Sequence, residues 1–394
     1  MNFRLLALRA APLLIRPLAI VLEGWLVPDQ FVIVLVLPIA MMAHTMSSIP
    51  VHLEYFQSRS ADARIQGQAY ASALGLVLAV VVPLLALILW LTDAFAGAIL
   101  IAATCLMYLI EKLSEESSRM LEFRKAFGGW FLVQVLRSAW LLVPIALFLI
   151  GATYEIAFVI TAAVFVCVAI GAFVRVTRLV PWPNLSAAPL VRKNMVFLAS
   201  SFLPASYRQI PRIMITRLFP NQAHIYLAIA QATQAAGLMF NVRFQIPYRK
   251  AIARKTAMVQ RRRHPAMMRF AAVPFMVAPV WMAASSVVSL ETMSDMVLAV
   301  FLTPLLLADA LVFAIIAAHL DYLHWLRHRA RLLMTYMTNA ALLGVLLGIL
   351  LSPGVQEHLS VVLVASAFTM LGLAWIAVVL RYNFPSKHGI AGAA

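Results

Sequence analysis

The sequence predicts an all-α membrane protein with twelve transmembrane helices in two six-helix lobes. Of its 394 residues, 63% are hydrophobic and 12% are charged, whereas an ordinary soluble domain is about half apolar and about one quarter charged. Twelve apolar runs are each long enough to cross a hydrocarbon core of about 30 Å. A repeat with an offset of 192 residues divides these runs into two sets of six.

The predicted spans follow one another with short connections, which leave no room for a large soluble domain. Their bounds are 5–24, 31–53, 70–91, 95–112, 129–150, 155–175, 194–217, 224–246, 267–288, 296–318, 330–351 and 359–380. We expect the first run to be a retained helix and not a signal peptide, because Arg16 interrupts it and no small-residue cleavage site follows. Cys105 and Cys167 lie within apolar runs and indicate neither a disulfide framework nor a metal site.

The charges of the connections predict the orientation of the helices. Basic residues gather at the N-terminus and after the even-numbered spans, and this interpretation counts Lys112 and Arg119 among the loop residues. Acidic residues such as Glu23 and Asp93 are assigned to the connections after the odd-numbered spans. Because basic loops remain cytoplasmic, both termini are expected in the cytoplasm.

The segment Tyr248–Arg269 holds eight basic residues and no acidic residue. Such a patch could bind nucleic acid in a soluble protein, but this one lies between two apolar runs. Lys and Arg beside anionic headgroups contribute about 1 kcal/mol each to membrane binding. We therefore expect anionic lipids as the partner of residues 248–269 and no nucleic-acid partner.

Two stretches with the same spacing of prolines and an arginine indicate an internal repeat. Over the positions from Arg9 to Ala40, eight pairs are identical at the offset of 192: Pro12–Pro204, Arg16–Arg208, Leu26–Leu218, Pro28–Pro220, Gln30–Gln222, Ile33–Ile225, Leu35–Leu227 and Ala40–Ala232. Because the two copies are six helices apart, both lobes cross the membrane in the same direction, which predicts a parallel pseudo-two-fold axis along the membrane normal. The predicted lobes are residues 1–180 and 194–394, joined by a cytoplasmic linker at 181–193.

Arginines within the apolar spans are the predicted functional residues. An arginine at the centre of a membrane helix costs about 2.5–3.5 kcal/mol on insertion scales, so it requires water, an anion or a buried partner. Arg16 and Arg208 lie deep in the first and seventh spans, and Arg137 lies in the fifth. Helical spacing places Arg9 on the face of Arg16 and Arg212 on the face of Arg208, although Arg9 can equally snorkel to the inner surface.

The number of acidic residues decides between buried ion pairs and a cationic cavity. Asp309 is the acid assigned to the interior of a span, and Glu54 and Glu111 are placed near inner ends. One deep carboxylate cannot neutralise several arginines, so we expect a cavity with surplus positive charge between the lobes. Arginine binds phosphate oxygens in bidentate fashion, which predicts a phosphate-bearing substrate. Asp309 is either an ion-coupling residue or an ion-pair partner, and both alternatives stay open.

Two parallel six-helix lobes, arginine-bearing first and seventh helices and the stretch RIMITRLFPNQAHIYLAIAQATQ, residues 212–234, resemble a known family. They are similar to the lipid-linked oligosaccharide flippases of the multidrug/oligosaccharidyl-lipid/polysaccharide exporter superfamily. The resemblance implies alternating access, with Arg16 and Arg208 holding the pyrophosphate of a polyprenyl-linked oligosaccharide, and Arg9, Arg137 and Arg212 assisting.

The resemblance also implies a setting for the protein. It implies a multi-pass protein of the bacterial inner membrane that makes and breaks no covalent bond, needs no cofactor and works beside other polysaccharide-assembly proteins. Coupling to a proton or sodium gradient is left open. Two C-terminal helices of the peptidoglycan-precursor branch have no counterpart in this sequence, which favours an exopolysaccharide or O-antigen-type repeat unit.

Three other functions are open alternatives. A multidrug antiporter of the same superfamily would require acids in the N-terminal lobe, where arginines are found instead. A major-facilitator exporter would carry a Gly-x-x-x-Asp-Arg-type motif after its second helix, whereas this chain has QSRSADARIQGQ, residues 57–68. A polytopic cell-envelope glycan enzyme would need a large external loop or an acid-rich site.

Overall fold

A computed structural model describes residues 3–27, 31–47, 63–92, 97–123, 126–233, 295–325 and 329–383. These residues form helices and no strand, which confirms the all-α class. The chain divides into two compact units, Met1–Thr216 and Arg217–Ala394. The predicted lobe boundaries and the symmetry axis stay predictions.

Both units consist of helices in their described parts. In the first unit they are α1 Phe3–Leu26, α2 Val32–Met46, α3 Ala63–Leu91, α4 Ala98–Phe123, α5 Phe127–Ala139, α6 Leu142–Leu149, α7 Tyr154–Thr177 and α8 Ala188–Leu218, with a 3-10 turn at Leu185–Ala187. Helix α8 ends in the second unit, which continues with α9 Pro220–Ala232, α10 Asp295–Trp325, α11 Arg329–Leu350, α12 Pro353–Gln356 and α13 Val361–Asn383. In that unit α10 packs against α9, α11 and α13.

Several described helices are long and apolar enough to cross a membrane, which fits a multi-pass membrane protein. By length and composition they are Gln68–Leu91, Tyr154–Thr177, Met296–Phe313, Leu333–Leu350 and Val361–Val378, and the pair α5 and α6, bent by 43°, adds a sixth if it forms one span. The number of twelve spans stays a prediction. The ninth predicted span, 267–288, and the basic segment Tyr248–Arg269 lie outside the described residues.

Helix α4 is the central helix of the first unit, since it packs against α2, α3, α5 and α7. It continues to Phe123, whereas the predicted span ends at residue 112. The assignment of Lys112 and Arg119 to a cytoplasmic loop is therefore wrong, because both are helical and Lys112 is buried at 2% exposure. Their positions in α4 also remove two residues from the loop charges that predicted the orientation.

The repeat found in the sequence extends to the ends of helices. Helix α1 ends at Leu26 and α8 ends at Leu218, and these two residues are matched at the offset of 192. The next residues, Val27 and Phe219, are non-helical in both copies. After this break α9 begins directly at Pro220, a position where proline is favoured because the first turn of a helix needs no N–H donor.

The segment that follows α7 packs against α3 through a glycine. A Cβ atom on Gly75 would lie 2.5 Å from the carbonyl carbon of Trp182 and 2.7 Å from the nitrogen of Pro183. Leu74 and Ala187 belong to one apolar core beside this contact. The first residues of the predicted 181–193 linker are therefore anchored to α3, and the linker is helical from Ala188 onwards.

Candidate functional site

Helix α1 turns its arginine towards the interior of the first unit. The buried positions recur at helical spacing, and the opposite face is apolar and exposed. Arg16 is 7% exposed and Glu23 is fully buried, whereas Leu14, Leu18 and Trp25 are each more than half exposed. The exposed face of α1 is therefore apolar, and its Arg16 and Glu23 side chains face the interior of the first unit.

Helix α4 presents a stripe of charged residues to the same interior. Glu111, Glu115 and Arg119 are spaced by four residues, and so are Lys112 and Glu116. This spacing places them on one face of the helix. Glu111, Lys112 and Glu116 are each at most 2% exposed, whereas Glu115 and Arg119 are partly exposed.

Arg16 of α1, the charged stripe of α4 and Arg137 of α5 form a charge cluster, which we define as Arg16, Glu111, Lys112, Glu115, Glu116, Arg119 and Arg137. At its centre, Glu111 binds two arginines. Its Oε1 accepts a hydrogen bond from Nη2 of Arg16, and its Oε2 lies 2.7 Å from Nε and 2.6 Å from Nη2 of Arg137. The third nitrogen of Arg137, Nη1, binds Oε2 of Glu115 at 2.5 Å.

The remaining members of the charge cluster extend the network along α4. Arg119 donates to Oε1 of Glu115 and to Oε1 of Glu116, each at 3.2 Å. Lys112 Nζ lies 3.1 Å from Oε1 of Glu116, and the hydroxyl of Tyr70 donates to Oε2 of Glu116 at 2.6 Å. The carboxylates therefore have their oxygens bound by cations or hydroxyl groups, as buried carboxylates require.

The expectation that the deep arginines have no carboxylate partners is wrong for Arg16 and Arg137. Both are bound to Glu111, which the sequence interpretation placed at an inner helix end. Glu115 and Glu116 did not enter the acid count because α4 was ended too early. In the described part of the chain, four cations of the charge cluster face three carboxylates, so an excess of one positive charge remains.

Charged side chains of neighbouring helices cap α2 at both ends. The carboxylate of Glu23 accepts hydrogen bonds from the backbone N–H groups of Ile33 at 2.6 Å and Val34 at 3.2 Å, and from the hydroxyl of Tyr154 at 2.8 Å. At the other end, Lys112 donates to the carbonyl of Ser47 at 3.1 Å. Both charges have the sign that the helix dipole favours. Glu23 is thus a buried structural residue, and its assignment to an external connection is wrong.

The other predicted site residues lie in α1, α8 and α10, outside the charge cluster as defined. Arg208 and Arg212 lie one turn apart in α8; Arg208 is half-buried, and Arg212 is buried and donates to Oε1 of Gln209 at 3.3 Å. Asp309 lies in α10 and is half-buried. Arg9 lies in α1, but its side chain is outside the described residues. Roles in substrate binding or ion coupling stay predictions for all of them.

The structure adds residues that the sequence interpretation did not select. Glu111, Glu115 and Glu116 provide the anions of the charge cluster, and Lys112 bridges it to α2. The signal was present in the stretch EKLSEESSR, residues 111–119, where opposite charges alternate at helical spacing. Within the described ranges, no group of three or more His, Cys, Asp or Glu side chains is arranged to hold a metal ion.

No known family identifies this arrangement. The chain matches no protein-family model, no curated protein and no solved structure. The function is therefore proposed from the charge cluster, the repeat and the membrane character of the helices.

Proposed function

We propose that this protein is a transporter that moves a polyprenyl-pyrophosphate-linked oligosaccharide from the inner to the outer leaflet of a bacterial cytoplasmic membrane. The observation that carries the proposal is the charge cluster, a buried network with an excess of one cation inside helices that are otherwise apolar. A net charge in a low-dielectric interior is costly unless an opposite charge compensates it. A phosphate-bearing substrate supplies that charge.

The repeat supports a substrate site with an arginine from each half of the sequence. Arg16 and Arg208 occupy matched positions, each ten residues before the end of its helix at Leu26 or Leu218. Two guanidinium groups suit the two phosphates of a pyrophosphate, because each can bind phosphate oxygens in bidentate fashion. Alternating access then moves the headgroup across the membrane while the polyprenyl tail remains in lipid, and no covalent bond changes.

The rest of the proposal concerns the cellular setting. Both termini are cytoplasmic, residues 248–269 lie against anionic lipids, and other polysaccharide-assembly proteins supply and use the glycan. Asp309 is the proposed ion-coupling residue if transport uses a proton or sodium gradient. These statements rest on the resemblance and the loop charges.

An ion-coupled exporter is a second candidate, and the charge cluster gives it one argument. Sequence reasoning disfavoured a cation exporter because the N-terminal half seemed to lack acids in its interior. Glu111 and Glu116 are buried there and Glu115 is partly exposed, so carboxylates that could couple to protons are present. The excess of positive charge still opposes a cationic substrate, and for this reason the flippase is preferred.

Complementation of a strain that lacks its own lipid-linked glycan flippase tests the proposal. We expect Arg16→Ala and Arg208→Ala each to reduce export by at least about ten-fold, because the loss of one charge-assisted hydrogen bond of about 1.5–3 kcal/mol corresponds to about 10- to 150-fold. The readout is the lipid-linked glycan that an impermeant lectin cannot reach in spheroplasts, normalised to protein level in the membrane. Arg217→Ala is the matched control, because Arg217 lies in the same helix as Arg208 and is exposed.

Two results would count against the flippase. Full export by the double variant Arg16→Ala/Arg208→Ala would show that neither guanidinium is needed. Efflux of a cationic dye from vesicles, driven by a pH gradient and lost in Glu115→Gln, would favour the ion-coupled exporter.

A further inference from the structure

The two arginines bound to Glu111 use their donors to different extents. Arg137 has each of its three nitrogens bound to a carboxylate oxygen, at 2.5 to 2.7 Å. Arg16 gives only Nη2 to Glu111, while its Nη1 lies 3.7 Å from the thioether sulfur of Met41. Its Nε is buried and has no hydrogen-bond partner within the part of the chain that the structure describes.

Buried donors without a good acceptor are unusual, because each costs about 1–3 kcal/mol. A thioether sulfur is only a weak acceptor. Nε and Nη2 of Arg16 together form one edge of the guanidinium plane, and Glu111 occupies only the Nη2 half of this edge. This edge has the geometry that binds an oxyanion through two N–H donors.

Glu111 remains held by Arg137 if Arg16 is withdrawn. Its two oxygens serve different partners, Oε1 for Arg16 and Oε2 for Arg137. Loss of the bond to Arg16 would leave Oε2 within 2.7 Å of two nitrogens of Arg137. A buried carboxylate is strongly destabilising only when its last partner is removed, and this one retains a partner.

The charge balance of the cluster also favours an additional anion at Arg16. With an excess of one positive charge, the charge cluster becomes neutral when a single negative charge joins it. A phosphate oxygen at Arg16 would provide that charge without requiring a proton to move. The exchange therefore replaces one anion on Arg16 by another, while Glu111 stays paired.

We infer that Glu111 is a built-in competitor for the phosphate site at Arg16. Its carboxylate occupies Arg16 between transport cycles, is displaced by a phosphate oxygen when substrate binds, and returns to Arg16 to release the substrate. This inference rests on the proposed function and adds to it a residue that sets the affinity for oxyanions. Glu111 is a positioning residue, because it acts through Arg16 and not on the substrate.

The test compares Glu111→Gln with Glu116→Gln in the full-length protein. Both variants remove one negative charge from the charge cluster and both sites lie on α4, but only Glu111 contacts Arg16. Binding of inorganic pyrophosphate to detergent-purified protein, and of polyprenyl pyrophosphate to protein in nanodiscs, is measured by calorimetry. Glu111→Gln is expected to bind both probes about ten-fold more tightly, the factor that corresponds to a lost competing hydrogen bond. Glu116→Gln is expected to show no comparable gain.

A second pair of variants covers the case in which Glu111→Gln does not fold, as judged by thermal unfolding. Arg16→Lys keeps the pair with Glu111 but lacks the planar donor edge, so it should unfold like the wild type and lose about ten-fold in affinity, the value of one charge-assisted hydrogen bond. Arg119→Lys, in the partly exposed end of the charge cluster, is its matched control and should retain affinity.

The outcomes separate this inference from the proposed function. An equal gain in both Gln variants would overturn the inference, since net charge alone would then explain it. An unchanged or weaker affinity in folded Glu111→Gln would overturn it as well, while leaving an Arg16-dependent site intact. If the folded wild type and its variants bind neither probe, both the inference and the proposed function fail. A gain confined to the lipid probe would support the inference with a lipid headgroup as ligand, and a gain with free pyrophosphate would support it for phosphate in general.

Discussion

Replacement of Glu23 by alanine is expected to destabilise the first unit more than any single exposed substitution. The carboxylate is fully buried and accepts hydrogen bonds from two backbone N–H groups in the first turn of α2 and from the hydroxyl of Tyr154. Each donor left without an acceptor in the interior costs about 1–3 kcal/mol. Three such donors give a loss of about 3–6 kcal/mol in the free energy of unfolding, since partial relaxation offsets some of the cost.

The same contacts predict a pattern across variants. Tyr154→Phe removes one donor but leaves the two backbone bonds of Glu23, so it should cost about 1 kcal/mol. In the Glu23→Ala background the same change should cost nothing, because the hydroxyl it removes is already without its acceptor. The double-mutant cycle should therefore show a coupling energy of about 1 kcal/mol between the two residues.

Reversible unfolding by SDS in mixed micelles, followed by circular dichroism, measures these differences. Glu357→Ala is the control, since Glu357 is exposed and surface substitutions usually change stability by less than about 0.5 kcal/mol. If Glu23→Ala unfolds at the same SDS fraction as Glu357→Ala, the capping contacts do not contribute as proposed and the reasoning is refuted.

Two further predictions concern the packing around α3 and α4. Gly75→Ala should lower the thermal unfolding midpoint, because the new Cβ would lie 2.5 Å from the backbone of Trp182 and overpacking costs about 1–3 kcal/mol. The control Gly171→Ala should be neutral or slightly stabilising, because its Cβ would have no atom within 4 Å. Equal unfolding midpoints of the two variants would contradict the close contact at Gly75. Arg137→Met should lower the free energy of unfolding by about 3–5 kcal/mol, the range found when one partner of a buried ion pair is removed. Arg217→Met, at an exposed site, should lower it little. A normal yield and unfolding midpoint for Arg137→Met in a detergent stability screen would show that the ion pairs are dispensable.

The helices that face lipid were predictable from the sequence. Helices α3 and α7 cover the predicted spans 70–91 and 155–175 within a few residues at their ends. Their side chains are apolar on the lipid side and on the protein side, so hydropathy alone identifies them. The repeat was also visible in the sequence, and the structure ends α1 and α8 at its matched residues Leu26 and Leu218.

The charged helix α4 was not predictable by the same means. A hydropathy window treats each charge as a solvent-exposed group and ends the span at the first charged pair, Glu111 and Lys112. In the structure these charges are neutralised by partners on other helices, and α4 continues to Phe123. The internal spacing of the stripe is local information, but its partners Arg16 and Arg137 are selected by the packing of α5 against α4 and of α1 against α5. That packing is a non-local property which one sequence does not reveal.

The candidate site shows the same division between local and non-local information. That Arg16 lies at depth and faces inward followed from its position in an apolar run. The pairing of Arg16 with Glu111 depends on a contact between residues far apart in the chain. A count of the acids within each separate span cannot predict such a contact. Glu23 is a second example of a non-local contact, because the sequence assigned this acid to a connection, whereas the structure shows that it caps the neighbouring helix α2.

The long separation between Arg16 and Glu111 has a consequence for the synthesis of the protein. Glu111 follows Arg16 in the chain by 95 residues, so α1 leaves the ribosome well before its counter-ion exists. An isolated helix with a central arginine pays about 2.5–3.5 kcal/mol to enter the bilayer. Helix α1 is therefore expected to wait beside the insertion machinery until α4 and α5 emerge, and the three helices would then enter the bilayer as a group.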